Sequence, residues 1–382
     1  ASLFSGEMPH EHAIFNNTPP SPAPSDSPSL ATLAEILGGV GYRTAGFPAA
    51  VHLGKWMGFD RGFALYNQSS VRRGPDWVEK YYQLAPVAFL TRTGVFKETY
   101  LARSSAEVTS SFINWYSDNG SDGAPVFAWL HYFDAHSPYK PPDEYWREFD
   151  PDYSGPITGD QRESDYLNTV LDVTNHGERP PPEYTWDDIE NLVARYDGEI
   201  LWQDESIGEL LNFIDSTDTL RDAIVIFVSD HGEGLFDDGY FGHNFTLSEY
   251  EIRLACAIRA PGIEIEPDRM TSITDITDYI LGTTGQRPDF GRLGSVEESH
   301  IAEEYGFLDK DPFTSMVFLG AHCWIDAPYK LIRKWEVSEG VGVRYGLFNF
   351  ADDPGEEINL YDIEPEIAEA MRDSLSQWLE EN

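Results

Sequence analysis

Runs of apolar residues that end in polar loops alternate with helical patterns along most of the chain. Val126 to Leu130 is one continuous apolar run, and Ala223 to Val228 is another. Such short runs are typical of strands buried on both faces of a parallel sheet. Between them, apolar residues stand at helical spacing at Leu192, Val193, Tyr196, Ile200, Ile207, Leu210, Leu211 and Ile214. The order predicts a doubly wound, mostly parallel α/β sheet flanked by helices over residues 1–312.

The same alternation occurs near the start of the chain and changes near its end. Leu33 and Leu37 belong to a helical pattern that closes at Gly38, and a strand is expected from about Tyr42. From residue 313 the chain shows short strands with turn signals and then one amphipathic helix at about 364–379. We predict a small C-terminal subdomain over 313–382, an antiparallel sheet plus a helix.

Composition adds an unusual charge. The 66 Asp and Glu residues exceed the 26 Lys and Arg residues to give a net charge of -40, and the acid is spread along the chain. Self-repulsion at this level favours a medium rich in counter-ions, so we predict a salt-loving source. Nucleic acid is excluded as a partner because no basic patch is present.

Three other sequence features bear on where the protein acts and on the state of its cysteines. Apolar runs do not approach the roughly 20 residues of a membrane helix, so no membrane partner is expected. The printed sequence shows no leader, which makes a cytoplasmic location the default expectation. Cys256 and Cys323 belong to no paired-cysteine motif, and we expect both to be buried free thiols.

A carboxylate and an imidazole follow the second apolar run. Asp230 and His231 come just after Val228 and precede a loop rich in glycine and acid. Open parallel sheets bind ligands beyond the carboxyl ends of their strands. Because an acid oxygen beside an imidazole nitrogen suits a divalent cation, we predict Asp230 and His231 as metal ligands. The alternative is a salt-bridged pair in a loop.

Two further histidines stand at comparable places. His136 lies with Asp134 beyond the strand that ends near His131, and His243 lies twelve residues beyond His231. An imidazole there can donate a proton to a bound oxyanion or a leaving oxygen. Alone, each would be an exposed surface histidine. Together with the metal ligands, they indicate a metal-assisted ester hydrolase.

Four segments resemble, in the right order, motifs of the sulfatases, which belong to the alkaline phosphatase superfamily. They are FAWLHYFDAHSPYKPP, YDGEILWQDESIGELLNFID, VSDHGEGL with GYFGHNFTLSEYEIRLACAIRAPG, and GLFNFADDPGEEINL. The resemblance extends from residue 1 to about residue 380 and implies a sulfatase-like α/β core. One departure is Ala135, which replaces a family proline.

The resemblance implies a role for each candidate residue. Asp230 and His231 match the downstream metal ligands of the family. His136 matches the histidine that contacts the sulfuryl group, and His243 matches the Lys or His that serves the leaving oxygen. One divalent metal ion is implied, Ca, Mg, Mn or Zn. Many sulfatases have Asp-Asn where this chain has Asp-His, and the imidazole favours Mn, Mg or Zn over Ca, which prefers oxygen.

The resemblance also implies a nucleophile motif that would fall about five positions before Ala1, with two metal-binding aspartates further upstream. We therefore expect that the printed sequence begins partway through a longer protein. Neither Cys256 nor Cys323 stands in the Cys-x-Pro-x-Arg context that formylglycine needs, so formylglycine is not expected within this chain. Lys55 is displaced by six residues from the family's Gly-Lys-Trp-His segment and receives no role.

The resemblance implies a sulfuric ester hydrolase that acts on a small-molecule or carbohydrate sulfate ester. An alternative stays open because of the Asp-His pair: a phosphoester or phosphonate monoester hydrolase of the same superfamily. A third hypothesis, a catalytically silent relative that binds an anionic ligand, follows from the missing nucleophile.

Overall fold

The protein is described from a computed structural model. The structure describes residues 2–7, 31–50, 53–69, 72–73, 100–120, 123–160, 163, 183–236, 241–243, 247–261, 272–286, 299–309, 316–337 and 341–381. Helices and strands alternate through these ranges up to residue 283, and strands dominate from residue 299 to residue 349.

The elements are numbered in chain order. The strands are β1 (Arg43–Phe47), β2 (Leu65–Tyr66), β3 (Arg72–Arg73), β4 (Tyr100–Leu101), β5 (Val126–Leu130), β6 (Val225–Val228), β7 (Gly234–Leu235), β8 (Phe241–Gly242), β9 (Cys256–Arg259), β10 (Ser299–Asp309), β11 (Met316–Asp326), β12 (Tyr329–Val337) and β13 (Val341–Asn349). The helices are α1 (Ser2–Ser5), α2 (Leu33–Gly39), α3 (Ser105–Asn119), α4 (Asp143–Trp146), α5 (Trp186–Ser216), α6 (Glu249–Ile252), α7 (Ile273–Thr283) and α8 (Pro365–Glu381).

Strand β1 is the centre of a parallel sheet. It pairs in parallel with β2 on one side and with β5 on the other, where Ala45 lies opposite Ala128. Strand β6 pairs with β9 in the antiparallel direction. Within the described ranges, β5 is therefore hydrogen bonded to β1 alone and β6 to β9 alone.

Strands β5 and β6 nevertheless share one hydrophobic core. Phe47 of β1 and Phe112 of α3 are buried at its centre, and Val126 of β5 and Val225 of β6 pack against the same cluster. Long helix α5 contributes Leu210 to this core. The C-terminal part of the apolar stripe predicted for α5 thus meets the sheet, which places the ends of β5 and β6 near each other. The N-terminal part differs from the prediction, since Leu192 and Tyr196 pack in a separate cluster and Ile200 is exposed.

Side-chain caps fix where the two helices of this core begin. Ser104 accepts from the Glu107 backbone N–H, and the Glu107 carboxylate accepts from the Ser104 N–H, so α3 starts with a capping box. Thr185 and Asp188 form the same box at the start of α5. Both helices therefore hold a defined position against the loop that follows β5.

The four strands β10 to β13 form an antiparallel meander. One face carries Leu331 and Leu347, which pack on α8. The other face carries the buried Lys330, whose Nζ lies 2.9 Å from the Leu247 carbonyl oxygen and 2.5 Å from the Glu356 carboxylate. The hydrogen bond to Leu247, together with an ion pair to Glu249 at 3.2 Å, ties the sheet to the segment that follows His243.

Most predicted elements are confirmed, including the parallel sheet, the antiparallel C-terminal sheet and the final helix. The sheet begins at Ser299, ahead of residue 313, and the division into two domains at 312 stays a prediction. Strands β5 and β6 are half-buried rather than buried on both faces, with Phe227 exposed, because among the described strands each pairs with only one other.

The structure also bears on the two cysteines and on the length of the helices. Cys323 is buried, as expected, but Cys256 is exposed because it opens β9 beside the half-covered β6. Among the described helices, none has the length and apolar character to cross a bilayer.

Candidate active site

The loop after β6 is held in place by the segment before β9. The Ser229 N–H donates to the Ala255 carbonyl oxygen at 2.9 Å, and the Gly232 N–H donates to the Glu251 carbonyl oxygen at 2.7 Å. A β-carbon on Gly232 would lie 2.0 Å from the Tyr250 carbonyl oxygen. The loop therefore requires glycine here, and the close approach fixes the direction in which Asp230 and His231 leave the strand.

The structure brings the three predicted histidines together. The rings of His231 and His243 are stacked with centroids 4.0 Å apart. The His136 ring lies 5.0 Å from the His243 ring and 6.2 Å from the His231 ring. Phe133 stacks on His136 at 4.5 Å. Residues from three separate loops thus form one cluster beside Asp230.

The hydrogen bonds of these rings define their tautomers. Nδ1 of His136 lies 2.7 Å from the Ser137 carbonyl oxygen, and Nδ1 of His231 lies 2.8 Å from the Gly232 carbonyl oxygen. A carbonyl oxygen only accepts, so both Nδ1 atoms carry hydrogen. In the neutral ring Nε2 then presents its lone pair, which is the arrangement of a metal-binding imidazole, whereas in the protonated ring Nε2–H is a donor to an anion.

Two of the histidines have opposite pKa shifts. Burial lowers the pKa of His136, and the nearby His243 ring lowers it further. Burial also acts to lower the pKa of His243, but the Glu233 carboxylate, 3.0 Å from its Nδ1, outweighs this and the pKa is raised. His243 therefore favours the imidazolium form while His136 favours the neutral form.

Asp230 has charged and polar neighbours that keep it ionised. Desolvation acts to raise its pKa, but the imidazoles of His231 and His131 and the His231 backbone N–H at 3.1 Å lower it overall. His131 is half-buried, and the loss of hydration there lowers the pKa of His131 to about 4. Its Nδ1 accepts from the Ala49 N–H at 3.4 Å, so the ring proton is on Nε2.

Asp230 and His231 supply a carboxylate and an imidazole nitrogen to any bound cation, with Oδ1 and Nε2 3.8 Å apart. In the part of the chain that the structure describes, no group of three or more His, Cys, Asp or Glu side chains is arranged to hold a metal ion. These two donors alone do not complete a metal site, and the divalent cation stays a prediction.

Sequence reasoning missed Glu233, His131 and Glu199. Glu233 stands in the acidic loop after His231 and could have been found from that proximity. His131 directly follows the apolar run of β5, and this position at a strand end could have indicated it. Glu199 lies on α5, and its contacts with the loop after β5 could not be read from the sequence.

Comparison with known proteins places this chain in a family. Residues 1–285 match the family described as Sulfatase. The match covers most of the 382 residues, and the chain belongs to the sulfatase family.

Individual relatives are distant. Mouse (Mus musculus) Arylsulfatase K is 24% identical over 205 residues, which covers 50% of this chain and 36% of that protein. The chain thus matches little more than a third of the length of this relative.

Two solved structures share the fold. One, solved in complex with its substrate D-glucosamine-2-N,6-O-disulfate, has a TM-score of 0.64 and 17% identity, covering 100% of this chain and 86% of that one. The phosphonate monoester hydrolase of Agrobacterium radiobacter has a TM-score of 0.66 and 18% identity, covering 98% of this chain and 84% of that one.

Proposed function

We propose that this chain forms the downstream half of a sulfuric ester hydrolase site for a small-molecule or carbohydrate sulfate ester. The observation that carries the proposal is the convergence of His136, His231 and His243 beside Asp230, with ring centroids 4.0 to 6.2 Å apart, in a chain of the sulfatase family. The structural neighbour that was solved with a disulfated glucosamine supports the substrate class.

Each residue has a distinct task in this proposal. Asp230 and His231 would hold the divalent cation, which supplies charge stabilisation to the sulfuryl oxygens when it is bound. The negative charge of a bound ester would favour the imidazolium form of His136, and its Nε2–H would then donate to a sulfuryl oxygen, since its Nδ1 already donates to the Ser137 carbonyl oxygen. His243 is bound through Nδ1 to Glu233 and delivers the proton on its Nε2 to the departing alcohol oxygen.

The nucleophile and further metal ligands would come from a further strand that lies in space between β5 and β6. Both strands have an edge without a hydrogen-bonding strand in the described ranges, yet they pack on one core. A strand in this position would lie about 4.8 Å from each neighbour and end beside His131 and Asp230.

The high acidic charge supports the accompanying proposal of a salt-loving source.

Phosphonate or phosphate monoester hydrolysis is the second candidate. An imidazole in the ligand pair supports it, as does the fold similarity to the phosphonate monoester hydrolase of Agrobacterium radiobacter. A sulfatase turns over a sulfate ester fastest, whereas a phosphonate monoester hydrolase turns over a phosphonate ester fastest. Comparing the rates of the two esters therefore separates the two candidate functions.

The test uses the full-length natural protein. It should hydrolyse p-nitrophenyl sulfate faster than p-nitrophenyl phenylphosphonate, and Asp230→Asn should abolish this activity. Asp218→Asn, which changes an exposed carboxylate paired with Arg221, is the matched control and should retain it. A preference for the phosphonate supports the second candidate, and an active Asp230→Asn protein contradicts both.

The role of His243 has a sharper test in the leaving group. Because p-nitrophenol is a good leaving group, His243→Gln should slow p-nitrophenyl sulfate hydrolysis little. It should slow hydrolysis of an alkyl sulfate ester by roughly 100-fold or more, the usual contribution of a general acid. Equal losses for both esters would contradict proton donation by His243.

A further inference from the structure

The loop that carries His136 is fastened at both ends by one residue of α5. The Lys140 backbone N–H, after His136, donates to Oε1 of Glu199 at 2.7 Å. The Asp134 side chain, before His136, faces the same Glu199 carboxyl group within hydrogen-bonding range. Glu199 is 3% exposed, and its Oε2 is buried without another hydrogen-bond partner.

Asp134 is itself fixed from two helices. Its Oδ2 accepts from the Ser105 backbone N–H at 3.0 Å and from the Ser105 hydroxyl, at the start of α3. Its backbone carbonyl oxygen accepts from Nε2 of Gln203, one turn beyond Glu199 on α5, at 2.6 Å. Two donors to one carboxylate favour the ionised form of Asp134 over the ionised form of Glu199.

Two carboxyl groups that face each other in a buried site cannot both be ionised without a large cost. The Lys140 ammonium group pairs with Asp160 and not with either carboxyl group. Among the described Lys and Arg residues, none forms an ion pair with Asp134 or Glu199. Of the other groups on this side of the loop, Tyr139 faces Glu199 and Glu233.

We propose that Glu199 is protonated on Oε2 and donates to the Asp134 carboxylate, so that one shared proton closes a clamp around the loop that carries His136. Glu199 is then a positioning residue for His136. The proton sharing follows from the contacts of the two carboxyl groups, whereas the positioning role rests on the proposed function of His136.

The pKa directions agree with this arrangement. Burial, the charge of Asp134 and the hydrogen bond to Asp134 raise the pKa of Glu199 to about 8. The same hydrogen bond acts to lower the pKa of Asp134, although burial raises it overall. The clamp is therefore closed at neutral pH and opens as the pH rises through about 8.

The direct test is infrared spectroscopy of this chain, which requires no turnover. At pH 6 the wild-type protein should show the carbonyl stretch of a buried protonated carboxyl group, and the band should disappear as the pH rises through about 8. Glu199→Gln should lack the band. Asp134→Asn should also lack it, because the amide donates to an ionised Glu199. Glu205→Gln, an exposed neighbour on α5, is the matched control and should retain it.

The positioning role is tested separately in the full-length protein. Glu199→Gln keeps an acceptor for the Lys140 N–H and a donor to Asp134, so turnover should persist and lose its decline above pH 8. Glu199→Leu removes both bonds and should lower kcat by about 100-fold, the cost of misplacing a reacting group by about 1 Å. A band that persists in both Glu199→Gln and Asp134→Asn overturns the shared proton. Equal activity of Glu199→Leu and Glu199→Gln overturns the positioning role.

Discussion

The carboxylate of Glu233 lies 3.0 Å from Nδ1 of His243, and the Glu233 side chain is only 5% exposed. A buried acid in this position holds the imidazole in one orientation and favours its charged form. Because Nδ1 faces Glu233, Nε2 is the ring nitrogen that is left for another partner. The pair is thus a carboxylate–imidazole unit at the edge of the cluster that also contains His136 and His231.

Replacement of Glu233 with Gln should lower the pKa of His243. The native pKa is raised, so the pair adds stability below the ordinary histidine pKa, and this stability is lost as the pH rises through the folded value. An NMR titration of the histidine ring protons measures the change. Glu190→Gln, an exposed carboxylate on α5, should leave the His243 titration where it is. An unchanged titration in Glu233→Gln would show that Glu233 does not control His243.

Gly232→Ala should destabilise the protein by roughly 1–3 kcal/mol, because the added carbon meets the Tyr250 carbonyl oxygen and the backbone must shift. Gly208→Ala is a matched control within α5, where the added carbon meets nothing within 4 Å. That substitution should instead stabilise by about 0.5–1 kcal/mol, because alanine favours a helix. Urea unfolding measures both free energies. Similar effects of the two substitutions would argue against close packing of the loop that carries Asp230 and His231.

Lys330→Met should cost about 3–5 kcal/mol, because it leaves the buried carboxylate of Glu356 without its cation. The double variant Lys330→Met with Glu356→Gln should recover part of this loss, since the buried carboxylate is removed and only the Glu249 carboxylate, which is 17% exposed, still lacks its cation. Denaturant unfolding of both variants measures the difference. If the double variant were as unstable as the single one, the ion pair would not be the source of the effect.

The unfolding temperature should rise as KCl increases from low to molar concentration. The net charge of -40 makes self-repulsion the dominant long-range electrostatic contribution, and salt screens it. Differential scanning calorimetry at several salt concentrations provides the measurement. A melting temperature that stays constant or falls over this range would contradict adaptation to a salt-rich medium.

Sequence patterns located the ends of β5 and β6 well, because continuous apolar runs and the polar residues after them are local features. They therefore indicated where Asp230, His231 and His136 stand. The contact between Glu199 and Lys140 joins positions 59 residues apart. It depends on the rotation of α5 about its own axis, and the spacing of apolar residues defines that rotation too coarsely to predict a single hydrogen bond. The exposure of Cys256 was mispredicted for a related reason, because the cover over β9 depends on which strands lie beside β6.

The most direct measurement is a crystal structure of the full-length protein grown with Mn²⁺, in which anomalous scattering locates the cation. The account predicts a manganese ion bonded to the carboxylate of Asp230 and to Nε2 of His231, with the rings of His136 and His243 facing the same pocket. A manganese ion bound elsewhere, with Asp230 and His231 directed apart, would contradict it.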